Sequence, residues 1–70
     1  MQRIPVASSN LASVGYDLAS LTLEIEFHSG SIYQYFNVPE SLYTRLMSAS
    51  SLGVFFHAHI KDRFRFRQVS

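Results

Sequence analysis

The segment Leu23-Glu24-Ile25-Glu26-Phe27-His28-Ser29-Gly30-Ser31-Ile32-Tyr33-Gln34-Tyr35 carries the strongest structural signal in this chain. Its first residues alternate between apolar and acidic side chains, a turn containing glycine follows, and two tyrosines return one position apart. Alternation with a period of two, bounded by turn residues, indicates a β-hairpin with one buried face. The tyrosines then share one sheet face, where they serve either as core or as a binding surface.

The length of the turn decides which face the tyrosines occupy. If the loop comprises residues 28–30, Gly30 takes the left-handed position of a bulged hairpin, and Tyr33 faces Ile25 on the apolar side. A loop one residue shorter or longer turns both tyrosines onto the face of the acidic residues. We favour the loop over residues 28–30 because glycine adopts a positive φ without steric cost. Tyr33 and Tyr35 are therefore predicted to join the apolar face.

The rest of the chain predicts strands, then helices, then a last strand. The expected elements are an edge segment at 3–6, strands at 11–17 and 21–27, helices at about 37–48 and 52–60, and a short strand or extended tail at 63–67. Gly15, inside a strand, indicates either a bulge or the close approach of another backbone. Asn37 or Val38 is predicted to cap the first helix, with Pro39 in its first turn.

This order predicts a small α+β domain spanning residues 1–70. The expected architecture is an antiparallel meander of about three strands, followed by two short helices over one sheet face and a C-terminal strand or extended segment. A chain of 70 residues buries only about 60% of its unfolded surface. The absence of cysteine excludes disulfides and thiolate metal sites. With 47% hydrophobic residues, the chain has the apolar material for a core, and disorder is a poor interpretation.

The N-terminal sequence shows no signal peptide, and no apolar run approaches the roughly 20 residues that span a bilayer. We therefore expect a cytoplasmic protein without a membrane segment.

Positive charge is concentrated at the C-terminal end. Residues 61–70 carry a formal charge of +3, and residues 1–60 carry −2. The candidate nucleic-acid contacts are the four cations Lys61, Arg63, Arg65 and Arg67, which suit successive phosphates, and the rings of Tyr33 and Tyr35, which suit stacking on bases. The alternatives are a solvated terminus for the cations and core packing for the tyrosines, and the favoured register supports core packing.

Catalytic and metal sites are not indicated. His57 and His59 lie two positions apart and point to different sides of a helix, whereas helical ligand pairs prefer a spacing of four. His28 falls in a turn, and the serines lack the setting of a nucleophile. A small convex domain also offers little room for a substrate pocket. We expect neither enzyme activity nor a metal or cofactor.

Taken in order, these motifs resemble the KTSC domain family over nearly the whole chain. The matching residues are Ser8-Ser9, Val14-Gly15-Tyr16-Asp17, Leu23, Ile25, Phe27 and Gly30, Tyr33 and Tyr35 as the central Tyr-x-Tyr, Val38-Pro39, Tyr43, Leu46, Ala49, Ser51, Gly53, Phe56, Ile60 and the basic-aromatic end. The chain departs from the family pattern at His57, where asparagine is more frequent, and at Leu52, where a basic residue is common.

The family has no established activity, and what the resemblance implies about function rests on the proteins in which the domain occurs. KTSC domains occur at the C-terminus of some lysyl-tRNA synthetases and as small stand-alone bacterial proteins. This association implies a stand-alone, non-catalytic binding module with RNA as the suspected ligand. The alternative is a protein interaction or assembly module that uses an exposed aromatic patch or a sheet edge.

Overall fold

The computed structural model describes residues 1–70 as an antiparallel sheet with two helices packed on one face. The elements are β1 Ile4–Pro5, β2 Leu11–Asp17, β3 Thr22–Phe27, β4 Ile32–Tyr35, α1 Glu40–Met47, α2 Leu52–His59 and β5 Phe66–Gln68. The five strands follow the order β1-β2-β3-β4-β5. The predicted α+β class is confirmed, and the sheet is wider than the predicted meander because the edge segment and the C-terminal tail both pair with it.

The hairpin between β3 and β4 has the predicted register. Ile25 lies opposite Tyr33, and Leu23 lies opposite Tyr35. Gly30 has a φ of 98°, and its N–H donates to the carbonyl oxygen of Phe27 at 2.9 Å. The loop over residues 28–30 therefore turns the chain, and both tyrosines lie on the face that the helices cover.

The core lies between this sheet face and the helices. Its buried members are Leu11, Val14, Leu23, Ile25, Tyr35, Val38, Leu46, Phe56 and Ile60. Four of the five core residues that lie on strands belong to β2 and β3, so the helices cover the middle of the sheet most completely. Tyr33 on β4 is half-buried and Phe66 on β5 is 54% exposed, which leaves the β4–β5 side of the same face open. Neither helix has the length and apolar character needed to cross a membrane.

Gly15 marks a close approach between backbones. A Cβ at this position would lie 2.6 Å from the carbonyl oxygen of Gln2. The irregular register of β2 falls between Leu11 and Ser13, before Gly15. Of the two predicted explanations for Gly15, the structure therefore contains the close approach.

Two predicted boundaries differ from the structure. Leu21 was expected in the second strand, but it lies in a left-handed turn with a φ of 55° and is exposed. Its carbonyl oxygen accepts the N–H of Val38 at 2.9 Å. This hydrogen bond joins the turn between β2 and β3 to the loop between β4 and α1. The N-cap of α1 is Pro39 rather than Asn37 or Val38. Asn37 has a φ of 59°, so the chain is still turning there, before the helix begins.

Candidate functional site

A groove opens where the helices leave the β4–β5 side of the sheet uncovered. Its volume is about 500 Å³. Five aromatic residues line it, namely Phe27, Tyr33, Tyr35, Phe56 and Phe66, and we call it the aromatic groove. The expectation that so small a domain has little room for a pocket is therefore wrong. The cause is the short reach of α2 over the sheet, which leaves the rings of β4 and β5 partly uncovered.

The rings form one connected cluster. Tyr35 lies 5.5 Å from Phe56 and 5.8 Å from Phe66, measured between ring centroids, and Tyr33 also lies 5.8 Å from Phe66. These separations fall within the range of roughly 4.5–7 Å that aromatic pairs favour. Tyr35 and Phe56 are nearly buried and belong to the core as well as the groove. Tyr33 and Phe66 present the accessible ring surface.

Tyr35 contributes a hydroxyl group to the groove. The Tyr33 hydroxyl donates to Oε1 of Gln68 at 3.1 Å, whereas the Tyr35 hydroxyl has no hydrogen-bond partner within the chain and is not sealed from solvent. Burial of the ring raises the pKa of Tyr35 to about 12, and the nearby Tyr33 and the negative charge of Asp62 act in the same direction. The phenol is therefore neutral at physiological pH, ready to donate or accept a hydrogen bond.

Charged groups lie at the rim of the groove next to the end of α2. Lys61 follows His57 by four residues, and its Nζ lies 3.4 Å from Nε2 of the imidazole ring. Both residues line the groove, as does Asp62. The rim therefore combines an ammonium group that suits an anion with a carboxylate that accepts hydrogen bonds.

The structure divides the predicted nucleic-acid contacts between the two faces of the sheet. Tyr33, Tyr35 and Lys61 line the aromatic groove. Arg67 lies opposite Gln34, one position out of phase with Phe66 and Tyr35, so its side chain belongs to the face away from the helices. The same alternation assigns Arg65 to that face. Arg63 lies in the turn after α2 and is exposed.

The face away from the helices carries a polar network. Glu24 is only 6% exposed; it accepts a hydrogen bond from Nε2 of Gln34 at 2.8 Å and forms an ion pair with Arg3. Burial by itself raises the pKa of Glu24, but the hydrogen bonds from Gln34 and Arg3, with the charge of Arg3, outweigh it and hold the pKa below its ordinary value. Arg3 and Gln34 thus already compensate the negative charge of Glu24. On this face of the sheet Glu24 lies opposite Gln34, and Gln34 lies opposite Arg67.

The Arg3–Glu24 pair is the one salt bridge of the structure. The four C-terminal cations are therefore exposed and unpaired with carboxylates. Lys61 lines the aromatic groove together with Phe66, and Arg65 and Arg67 flank Phe66 in the chain. Binding of a polyanion at this edge would not require the breaking of an existing ion pair.

Sequence reasoning missed several residues of the groove. His57, Asp62, Phe27 and Phe56 line it without having been assigned to a site. The spacing of four between His57 and Lys61 was the one available signal, because residues so spaced share a helix face. His59 points elsewhere, as predicted, and its ring lies 4.5 Å from that of Phe55. The structure contains no cluster of three or more metal-ligating side chains.

Together, the five-stranded sheet, the helix pair on one face and the aromatic groove at the β5 edge define a small α+β domain with an open ligand-sized groove. The profile of the KTSC domain family matches residues 7–64 of the chain. The chain belongs to the KTSC domain family, as its motifs predicted.

Solved and curated relatives agree with this assignment. A crystal structure of a KTSC domain protein from Yersinia pestis superposes with a TM-score of 0.96 at 45% identity, covering 99% of this chain and 97% of that one. An uncharacterized protein of Stutzerimonas stutzeri is 43% identical over 63 residues, covering 90% of this chain and 89% of that protein.

A lysine–tRNA ligase of Trichormus variabilis is 44% identical over 55 residues, which cover 79% of this chain. The match spans 10% of the length of that ligase. The similarity therefore concerns a small part of the ligase and not the enzyme as a whole.

Proposed function

We propose that this KTSC domain is a non-catalytic binding module whose ligand is single-stranded RNA. The observation that carries the proposal is that Lys61, Arg65 and Arg67, none of which pairs with a carboxylate, lie next to the exposed Phe66, in the groove lining or in the chain. Proteins that bind single strands combine such a positive surface with aromatic rings on which bases stack. Here Lys61 lies on the helix-covered side of the β5 edge, and Arg65 and Arg67 lie on the opposite face of the sheet.

The lysine–tRNA ligases among the relatives support RNA as the ligand class. Their names describe enzymes that act with tRNA, and each carries a segment similar to this chain within a much longer protein. A small module attached to such an enzyme is well placed to add contacts to the RNA.

The chemistry of the groove supports binding rather than catalysis. Its polar side chains include Ser9, Ser29, His28, His57, Lys61, Asp62 and the two tyrosines. Neither histidine ring hydrogen-bonds to a serine hydroxyl, since Nε2 of His28 lies 2.8 Å from the carbonyl oxygen of Ser8 and Nε2 of His57 faces the Lys61 ammonium. Covalent catalysis requires a nucleophile activated by an adjacent base. The rings and hydrogen-bonding groups of this groove suit recognition of a planar ligand.

The test is a binding titration with tRNA and with single-stranded RNA at low and at physiological salt. We expect binding that weakens steeply with salt, and each of Arg65→Ala and Arg67→Ala should reduce the salt slope by about 1. Arg45→Ala is the matched control, because Arg45 is an exposed arginine on α1 whose guanidinium lies over the Phe55 ring and which does not line the groove. No binding at low salt would refute the proposal, as would binding that Arg65→Ala and Arg67→Ala leave unchanged.

A second candidate function is protein interaction or assembly through the same edge. β5 has a neighbour on one side only, and Phe66 is an exposed apolar residue on it. Such an edge is a template for pairing with another chain. The discriminating measurement is the molecular mass in solution, or a partner captured by the domain, with loss of the association in a Phe66→Ala variant. Phe64 is less suitable for this test because it packs against the core.

A further inference from the structure

The shape of the aromatic groove suits one planar ring system. Its volume of about 500 Å³ lies within the range of roughly 300–1,000 Å³ that is typical of small-molecule sites. Tyr35 and Phe56 form its floor, and the exposed Phe66 forms one wall together with Tyr33. Every nucleobase has a π-face that stacks on such rings regardless of base identity.

The polar groups of the rim suit the remaining parts of a nucleotide. A phosphate oxygen carries negative charge, and the Lys61 ammonium, which lies 3.4 Å from Nε2 of His57, is its natural partner. The Asp62 carboxylate and the Tyr35 hydroxyl both line the groove, which therefore offers an acceptor and a hydroxyl. The Watson–Crick edge of each of the RNA bases presents at least one N–H donor that such an acceptor can bind.

We propose that the aromatic groove holds one unpaired nucleotide of an RNA strand, with its base against Phe66 and Tyr33 and its phosphate at His57 and Lys61. This inference rests on the proposed RNA-binding function and specifies where an unpaired base is held. An aromatic side chain from a protein partner would match the rings but would leave the charged rim without partners. Charge complementarity therefore favours the nucleotide.

The path of the RNA strand follows from the position of the cations. The groove lies on the helix-covered face, and Arg67 lies on the opposite face of β5, which is three residues long and at the edge of the sheet. An RNA strand leaving the groove therefore passes over the β5 edge and brings its next phosphates to Arg65 and Arg67. A duplex cannot follow this path, because its bases are paired and stacked.

The experiment is a titration of the full chain with a short oligo-adenylate, with the same strand in a duplex, and with free adenosine monophosphate and adenosine. Nuclear magnetic resonance reports which residues shift. We expect shifts at Tyr33, Phe66, His57 and Lys61 with the single strand, and binding that is at least tenfold weaker for the duplex. We also expect the monophosphate to bind better than adenosine, but more weakly than the strand.

Two variants test the two halves of the site. Phe66→Ala should weaken single-strand binding about tenfold or more, and Lys61→Gln should abolish the preference for adenosine monophosphate over adenosine. Lys61 is exposed, so Lys61→Gln preserves the core and tests the inference even if Phe66→Ala misfolds. Val54→Ala is the control, because Val54 is 70% exposed and does not line the groove.

The outcomes separate this inference from the proposed function. If Lys61→Gln and Phe66→Ala bind RNA like the unmodified chain while Arg67→Ala does not, the groove inference is overturned and RNA binding stands. If no RNA binds even at low salt, both fall. Shifts in the groove that depend on protein concentration alone identify a second copy of the chain as the occupant and overturn the inference. If the free monophosphate binds as tightly as the strand, the occupant of the groove is a free nucleotide and not a nucleotide of an RNA strand, and the inference is overturned.

Discussion

Gly15 shows most directly how one residue is constrained by the fold. The carbonyl oxygen of Gln2 occupies the space that a Cβ at this position would need. Because the obstacle is backbone and not a flexible side chain, the N-terminal segment must move if a methyl group is added. The glycine therefore permits this segment to pass closely over β2.

We predict that Gly15→Ala destabilises the domain by about 1–3 kcal/mol, the usual cost of forcing extra atoms into a packed site. Urea denaturation measures the change in the free energy of unfolding. Gly53→Ala is the matched control. Its Cβ would meet the Asn10 side chain at 3.2 Å, which can shift, and alanine in a helix gains roughly 0.5–1 kcal/mol over glycine. Equal stability of Gly15→Ala and the unmodified chain would contradict the structural explanation.

Residues governed by local turn chemistry were predictable from the sequence. Gly30 supplied the positive φ of the hairpin, and the positions of Tyr33 and Tyr35 followed from it. Leu21 was not predictable in this way, because a leucine with a φ of 55° contradicts its intrinsic preference. Its conformation is imposed by tertiary structure, since its carbonyl oxygen accepts the N–H of Val38.

At the scale of elements, the two helices begin differently. The Ser51 hydroxyl accepts the N–H of Val54 at 3.3 Å and caps α2, whereas Pro39 offers α1 no side-chain cap. α2 has eight residues, and so short a helix is marginal without its cap and its packing. α2 carries Phe56 in the core and His57 at the groove, so its first turn helps to position both.

We predict that Ser51→Ala destabilises the domain by about 1 kcal/mol, within the range measured for loss of an N-cap. The free energy of unfolding from urea denaturation is the measurement. Ser50→Ala is the matched control, since Ser50 is the preceding serine, is exposed and makes no side-chain hydrogen bond that the substitution would remove. An equal effect of the two substitutions would show that the cap does not stabilise α2.

The helices and the inner strands followed from periodicity, but the width of the sheet did not. β1 has two residues and β5 has three, which is too short for an alternating pattern to distinguish a strand from an extended tail. They are strands because, in the folded protein, β1 pairs with β2 and β5 pairs with β4. Such pairing depends on long-range contacts that local sequence does not report.

At the scale of the whole molecule, the network around Glu24 ties together segments that are distant in the chain. Arg3 precedes β1, Glu24 lies on β3 and Gln34 lies on β4. The pKa of Glu24 is lower in the folded protein than its ordinary value of 4.5. A carboxyl group with a depressed folded pKa stabilises the fold above its unfolded pKa, and this stabilisation is lost as the pH falls through the folded pKa.

We therefore predict that stability falls as the pH decreases below about 4.5, and that Glu24→Gln removes part of this decrease. Near neutral pH, Glu24→Gln should itself be less stable by about 1–3 kcal/mol, because it leaves the Arg3 guanidinium without its charged partner. Urea denaturation across the acid range measures both effects. Glu40→Gln, at an exposed carboxyl group on α1, is the control. Its stability should decrease in acid as much as that of the unmodified chain.

The composition of the aromatic groove was only partly predictable. Its rings come from β3, β4, α2 and β5, and no spacing within the sequence relates Phe27 or Phe56 to Phe66. The tyrosine pair was visible because both members lie on one strand. The cations were visible as a charge cluster, but their division between two faces became apparent only with the register of β5.

The place of Phe66 on an edge strand has a dynamic consequence. β5 is held by β4 alone, and edge segments of this kind open locally at a small fraction of the free energy of global unfolding. Detachment of β5 removes a wall of the groove, so the docked population sets the fraction of molecules able to bind there. The apparent affinity equals the intrinsic affinity of the docked state multiplied by that fraction. Any ligand that binds the groove while β5 is docked also stabilises the pairing of β5 with β4, and it therefore reduces fraying of the C-terminal strand.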